Sequence, residues 1–397
     1  MYFKTVLSLR QLFLSHVAQT SPFPLMIEIE RAEGVYLYDT DGKRYLDLIA
    51  GIGVSNVGHR HPRVLAAIRE QLDKHLHLMV YGEYVQGPQV LLAQALAQTL
   101  PAPLESVYFT NSGTEAAEGA MKLAKRYTGR AEIIACHGCY HGSTQGALSL
   151  SDAEIFKQAY RPLLPGVRHI HYGSYRDLAE ISSQTAAVFI ETVQGEAGVR
   201  VACREYFRAL RQRCDETGTL LVLDEIQAGF GRTGTFWAFE QFGIVPDVLL
   251  CAKGMGGGMP IGAFIASREI MSVLTHNPIL GHLTTFGGHP VSCAAALATL
   301  QIIQDENLLA GVAAKAQLFR DLLAGHPSVR QIRNQGLMMA VEFESFEVLK
   351  LVIDRAIERG VITDWFLHCD NSMRIAPPLT ITEEEIREAC EIILFSV

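Results

Sequence analysis

The stretch Val248-Leu-Leu-Cys-Ala-Lys253 reads as an apolar strand ending in an amine, and it runs straight into four glycines within five residues, Gly254 to Gly258. Partial desolvation lowers the pKa of an ammonium group and frees its lone pair for Schiff-base chemistry. Glycines let a backbone come close to a flat ring or a phosphate. A solvated lysine beside a glycine loop is the plainer reading, and the strand before it argues against that. Three other segments carry groups that could cooperate with such an amine. In Leu220-Leu-Val-Leu-Asp224-Glu-Ile-Gln227 an acid follows an apolar strand directly. A carboxylate there can keep a pyridinium nitrogen protonated and make the ring an electron sink, and Gln227, one helical turn on, can reach a ring oxygen. A helix cap or a magnesium ligand are the rivals, and no G-x-x-x-x-G-K-[ST] loop accompanies the second. Thr110-Asn-Ser112-Gly113-Thr114-Glu115 follows the strand Val107-Tyr-Phe109 and opens a helix, the geometry of a phosphate cradle or of a simple cap. Thr284-Thr285-Phe-Gly-Gly-His-Pro290 offers two hydroxyls before a glycine turn. All four segments are expected at the C-terminal ends of strands, where open α/β sheets bind ligands.

Two motifs point elsewhere. Gly229-Phe-Gly-Arg-Thr-Gly234 satisfies the dinucleotide pattern G-x-G-x-x-G, but five residues separate it from the preceding strand and no helix is expected after it. Cys136-His-Gly-Cys139, with His141 nearby, reads as C-x-x-C, yet it has neither the second ligand pair of a zinc site nor the small-domain context of a redox motif. Two buried thiols at a strand end are the expectation.

Elements must hold these residues in place. Residues 27–50 alternate like a β-hairpin, with a turn at Asp39-Thr-Asp-Gly42. From about residue 60, helical patterns (62–74, 89–99, 114–127, 205–216) alternate with short apolar runs (107–109, 133–136, 187–190, 220–223, 248–252). That alternation predicts an α/β fold with a mostly parallel central sheet flanked by helices. After about 290 come helices at 291–304, 348–359 and from Thr382, with a strand at 338–343, which predicts a smaller α+β domain. The expected division is 59–290 for the large domain and 291–397 for the small one, joined by 1–58.

With 397 residues, 49% hydrophobic and 19% charged, the chain has room for more than one core and the make-up of a globular protein. Its net charge of −8 disfavours nucleic acid or an anionic membrane as partner, and no apolar run is long enough to span a bilayer. Eight scattered cysteines suit a reducing compartment. At the N-terminus, Val6, Leu9, Phe13 and Val17 are spaced for an amphipathic surface helix, and no signal-peptide cleavage site comes after them. The expected location is the cytoplasm.

Taken together and in order, these segments resemble the class III pyridoxal-phosphate (PLP) aminotransferases of fold type I, nearest their acetylornithine/ornithine branch. The resemblance runs from Gly51-Ile-Gly-Val-Ser-Asn-Val-Gly-His-Arg-His-Pro62 to Arg374-Ile-Ala-Pro-Pro-Leu379 and is most specific at Asp224-Glu-Ile-Gln-Ala-Gly-Phe-Gly-Arg-Thr-Gly234 with Lys253-Gly. It implies that Lys253 carries PLP as a Schiff base and shuttles the substrate proton. By the same resemblance Asp224 pairs with the pyridine nitrogen, Gln227 with the ring oxygen, and Ser112, Gly113 and Thr114 hold the phosphate. Tyr140 of Cys139-Tyr-His141-Gly stacks on the ring with His141 beside it, and Thr285 reaches the phosphate of a neighbouring subunit in a homodimer. Glu196 is the counterpart of a gatekeeping glutamate over Arg374, the candidate for binding a substrate carboxylate, with Thr284 close to substrate. The implied reaction moves an amino group from an amino acid or ω-amine donor to a 2-oxo acid such as 2-oxoglutarate, by a ping-pong course. Aminomutation and racemisation use the same scaffold. Decarboxylation ranks below them, because Ala252 stands where fold-type-I decarboxylases have histidine. A non-catalytic PLP-binding or nucleotide-binding protein is the rival from another class. The branch's arginine three residues after the stacking aromatic is Ser143 here, so acetylornithine is not carried over as the donor; His282 and Arg200 are the candidate replacements.

Overall fold

The computed structural model describes residues 7–397. Its centre is a seven-stranded sheet in the order Ser106–Thr110, Gly262–Ala266, Val248–Cys251, Leu220–Asp224, Thr185–Glu191, Glu132–Cys136, Val167–Ile170. Six strands run in one sense, and Gly262–Ala266 is antiparallel to both its neighbours. Every residue of Thr185–Glu191, Leu220–Asp224 and Val248–Cys251 is buried, as continuous apolar strands covered on both faces should be. The helix Gly113–Thr128 packs against this sheet, and Pro290–Asp305 packs on Pro62–Leu72 and Gly87–Gln98. Register aligns the strand ends: Glu191 pairs with Asp224, and Asp224 with Leu250. Two acids therefore stand side by side at the sheet's C-terminal edge, with Lys253 three residues beyond Leu250.

Two smaller sheets complete the fold. Ile29–Glu33, Tyr36–Asp39 and Arg44–Asp47 form the expected antiparallel unit, and Val361–Ile362 adds parallel to Arg44–Asp47. The other sheet runs Gln331–Gln335, Met338–Glu342, Cys369–Ile375, Trp365–Phe366. One hydrophobic cluster surrounds the large sheet. A second joins Val35, Leu46 and Leu48 to the helices Val312–Leu323, Phe346–Glu358 and Glu383–Leu394. A third, small cluster (Val193, Val199, Ala228, Met338 and Phe366 among its members) bridges the turn after Glu191 to the last sheet.

Several expectations need correction. Gly262–Ala266 and Val167–Ile170 are strands that periodicity did not predict: the first is a short apolar run after a Gly/Pro loop, the second a partly polar edge. The segment Thr284–Pro290 follows no strand; it leads into the helix Pro290–Asp305, which His289 caps. No helix follows Asp224, so Gln227 lies in a turn. The N-terminal helix spans Leu9–His16 with no buried residue, and Val6 lies outside the described residues. Among the described residues no helix is long and apolar enough to cross a membrane.

Candidate active site

Lys253 follows the strand Val248–Cys251 by two residues and has φ +45°, a left-handed backbone that costs a residue with Cβ roughly 1–2 kcal/mol. The surrounding buried strand and glycine turn hold it there, and such strain collects at functional positions. Its side chain faces a cavity of about 510 Å³. Among the described residues the ammonium has neither a hydrogen-bond nor an ion-pair partner. Burial pushes its pKa down to about 8; Glu196 pulls it up and Arg374 pushes it further down.

Ser112, Gly113, Thr114, Tyr140, His141, Ser143, Asp224 and Gln227 line the same cavity, so the structure gathers most of the sequence candidates around one space. Asp224 Oδ1 accepts the Ile226 N–H at 2.9 Å, and Oδ2 lies 2.7 Å from His141 Nδ1. Burial disfavours the imidazolium of His141, but Cys139 and Asp224 beside it outweigh that and hold its pKa well above the usual value. The Asp224 carboxylate is thereby fixed at the cavity floor. Ser112 caps the helix Gly113–Thr128 through the Glu115 N–H, at 3.3 Å. The N–H groups of Gly113 and Thr114 have no acceptor among the described residues, which leaves the positive end of a 16-residue helix open to an anion. The Tyr140–Ser143 loop closes over that end. Gly142, at φ +130°, packs so tightly on Thr114 that a methyl group there would run into its Cβ and Oγ1. Tyr140 Oη sits 3.2 Å from Ser143 Oγ.

Glu191 was not among the candidates, although it ends an apolar strand as Asp224 does; that shared pattern was the available signal. It lines the cavity and accepts N–H bonds from Tyr140 at 3.1 Å and Gly195 at 2.9 Å, tying two loops together. Burial raises its pKa to about 7.

Glu196 and Arg374 lie behind Gln227 rather than on the cavity wall. Arg374 Nη1 and Nη2 donate to Glu196 Oε1 and Oε2 at 3.0 Å each, its Nε donates to Asp364 at 2.8 Å, and its guanidinium covers the Phe366 ring at 4.4 Å. Burial alone would raise the Glu196 pKa, but Arg374 wins and holds it at about 2. Gln227 Nε2 donates to Glu196 Oε1 at 3.0 Å, so the amide engages the ion pair.

The remaining candidates are elsewhere. Thr284 Oγ1 accepts from Asn111 Nδ2 and the Gly287 N–H, at 3.1 Å each, and lines a second cavity. Thr285 is exposed and outside the Lys253 cavity of its own chain. His282 faces the second cavity and meets Lys122 at 2.9 Å, while Arg200 faces a third; neither stands in for the missing arginine within this chain's own cavity. The glycine decoy is a turn, with φ positive at Phe230, Gly231 and Gly234, around the buried Arg232, which donates to Asn56 Oδ1 and to the carbonyls of Leu337 and Pro377. Cys136 and Cys139 are free and buried, and Cys139 donates to the Leu150 carbonyl.

Comparisons with known proteins place the chain in a family. The aminotransferase class-III family pattern matches residues 17–395. The chain is 40% identical to the acetylornithine aminotransferase of Methanopyrus kandleri, over 94% of each chain. It is 41% identical to the putrescine aminotransferase of Pectobacterium atrosepticum, over 88% of this chain and 77% of that one. Among solved structures, the ornithine aminotransferase of Toxoplasma gondii superposes with a TM-score of 0.90 at 30% identity, over 97% of this chain and 93% of that one. A transaminase from the marine bacterium Virgibacillus superposes with a TM-score of 0.91 at 27% identity, over 98% of both chains. Matched along nearly its whole length in sequence and in fold, the chain belongs to the class-III aminotransferases, enzymes that work with pyridoxal phosphate.

Proposed function

We propose that Lys253 is the residue that carries the cofactor and moves the substrate proton, in an enzyme that transfers the amino group of an ω-amine donor to a 2-oxo acid such as 2-oxoglutarate. The observation that carries this reading is the Lys253 amine itself: desolvated, unpartnered, and facing one cavity with the open helix end at Gly113 and the Asp224 carboxylate. The residues fit the cofactor. Its phosphate suits the free N–H groups of Gly113 and Thr114, its ring nitrogen the Asp224 carboxylate, and its ring face Tyr140. When bound, pyridoxal phosphate supplies an aldehyde that condenses with amines and a ring that withdraws electrons from the adjoining substrate carbon.

The chain's own groups do the rest. Asp224, backed by His141, holds a proton on the ring nitrogen. With the cofactor in place, Lys253 Nζ would be the base that takes the proton from the donor carbon bearing the amine and the acid that later gives it back. Glu196 occupies Arg374 while a donor without a carboxylate is bound, and gives up the guanidinium fork when a 2-oxo acid brings its own carboxylate. Putrescine is a diamine with no carboxylate, whereas acetylornithine has one; Ser143, with no guanidinium beside it in this cavity, favours the former kind of donor. Val54, Val193 and Ile226 supply an apolar wall for a methylene chain.

In this reading the expected boundary at 290 moves to the end of the helix Pro290–Asp305, whose Cys293, Ala296, Leu300 and Ile303 sit in the large-sheet cluster: residues 59–305 form the cofactor-binding unit, and the N-terminal hairpin with the segment after Asp305 forms the smaller one, as the pairing of Arg44–Asp47 with Val361–Ile362 supports. The enzyme works as a cytoplasmic homodimer in which Thr285 reaches the neighbour's phosphate. The exposed Ile279, Leu280, Leu283 and Phe286, and the exposed Tyr84 and Val85, support an interface on that face.

The test is borohydride reduction of the yellow holoenzyme and peptide mapping, with a screen of amino donors against 2-oxoglutarate and pyruvate. The cofactor is expected on Lys253 and diamines among the best donors. Cofactor fixed to another lysine, or transamination retained by Lys253→Ala, overturns the assignment.

A further inference from the structure

A cleft of about 690 Å³ opens behind the turn that carries Glu196, and it shares no lining residue with the Lys253 cavity. Arg200, Arg320 and Arg333 line it, with Glu342 as the single carboxylate. Glu342 is already engaged, in an ion pair with Arg333. Arg200 and Arg320 have no carboxylate partner among the described residues, yet both are held in place. Arg320 Nη1 donates to Ile332 O and to Asn334 Oδ1, at 3.0 Å each, and Arg200 Nε donates to Ala197 O at 3.2 Å. The other guanidinium donors are unspent. Two uncompensated guanidinium groups on one concavity, Arg320 anchored by two acceptors and the exposed Arg200 by one, make a local site for negative charge in a chain of net charge −8.

We propose that this cleft binds a small dianion, a phosphate or a dicarboxylate, between Arg200 and Arg320. Its position gives the site a consequence. The turn is closed by the Gln194–Arg200 bridge and gripped at two successive carbonyls, by Arg200 on Ala197 and by Arg333 Nε on Gly198 at 2.7 Å. Glu196 directly precedes the first of them. A dianion that draws Arg200 toward Arg320 competes with the Ala197 carbonyl, loosens the turn and favours release of Glu196 from Arg374. The bound anion therefore lowers KM for the 2-oxo acid. That consequence rests on the role given to Glu196 above; the binding does not.

The experiment is calorimetric titration of the holoenzyme, its own phosphate cradle filled by cofactor, with inorganic phosphate and separately with succinate at constant ionic strength. At least one of the two is expected to bind saturably and to lose at least tenfold in affinity in Arg200→Ala and in Arg320→Gln, with the cofactor's visible absorbance unchanged. Which arm responds identifies the anion. Succinate can also meet Arg374, so only the part of its binding that the variants remove counts. Arg200→Ala is the safer variant, since that side chain's one hydrogen bond is to Ala197. Absence of saturable binding in both arms, or wild-type affinity in both variants, overturns the proposal. Binding that the variants abolish, with KM unmoved by the anion, leaves the cleft assigned and refutes instead the coupling through Glu196.

Discussion

The depressed pKa of Lys253 has a measurable size. A lysine at 10.5 is about 0.03% neutral at pH 7, and one near 8 is about a tenth neutral, so burial makes this amine roughly 300 times more available as a nucleophile at that pH. The shift corresponds to about 3 kcal/mol between the two protonation states. Its sign fixes a second consequence. The folded-state pKa lies below the unfolded one, so between pH 8 and 10.5 the unfolded chain binds more protons, and the stability of the cofactor-free enzyme rises with pH across that window. Competitive acetylation of the cofactor-free enzyme with trace acetic anhydride from pH 6 to 10, read peptide by peptide in a mass spectrometer, reports the titration of Lys253 directly. The expected midpoint is near 8, with labelling rising tenfold per pH unit below it. Glu196 raises this pKa and Arg374 lowers it, so Glu196→Gln is expected to move the midpoint lower still. A midpoint at 10 or above would refute the desolvation argument, and an upward move in Glu196→Gln would refute the electrostatic one.

Three other perturbations test the surroundings. Glu196→Ala strands Arg374 with Asp364 alone; we expect a stability loss of about 3 kcal/mol, the low end for breaking a buried pair, by denaturant titration, and a lower KM for 2-oxoglutarate, whereas an unchanged KM counts against the gate. Gly142→Ala places a methyl group against Thr114 at φ +130°, so cofactor affinity should fall at least tenfold in spectrophotometric titration, and wild-type affinity would show that the loop does not brace the cradle. Ser143→Arg should move kcat/KM at least tenfold from diamines toward donors bearing a carboxylate; an unaltered ratio would remove position 143 from substrate selection.

The strand-end positions of Asp224 and Lys253 were legible because buried parallel strands are unbroken apolar runs, and a polar residue after such a run has few roles. The helix opening at Gly113 was legible for a similar reason, a cap sequence between a strand and an amphipathic helix. Glu191 was equally visible in kind, but nothing local says that its strand neighbours that of Asp224. Local pattern also missed Gly262–Ala266, which is too short and featureless to be told from a loop and is a strand only because the flanking strands offer it hydrogen-bond partners.

By itself, then, the sequence determined which residues had chemistry to offer and that a parallel α/β sheet would present them, since periodicity and residue type are properties of neighbouring residues. Tertiary structure decided the rest. Register set Glu191, Asp224 and Lys253 at one edge, and the packing of the last sheet brought Arg374 against Glu196 from 178 residues away. It also placed Thr285, His282 and Arg200 outside the chain's own Lys253 cavity. The physical reason is that a pKa, an ion pair or a cavity depends on what the folded chain brings within a few ångströms, and contacts between residues so far apart in sequence leave no mark on the local pattern of either.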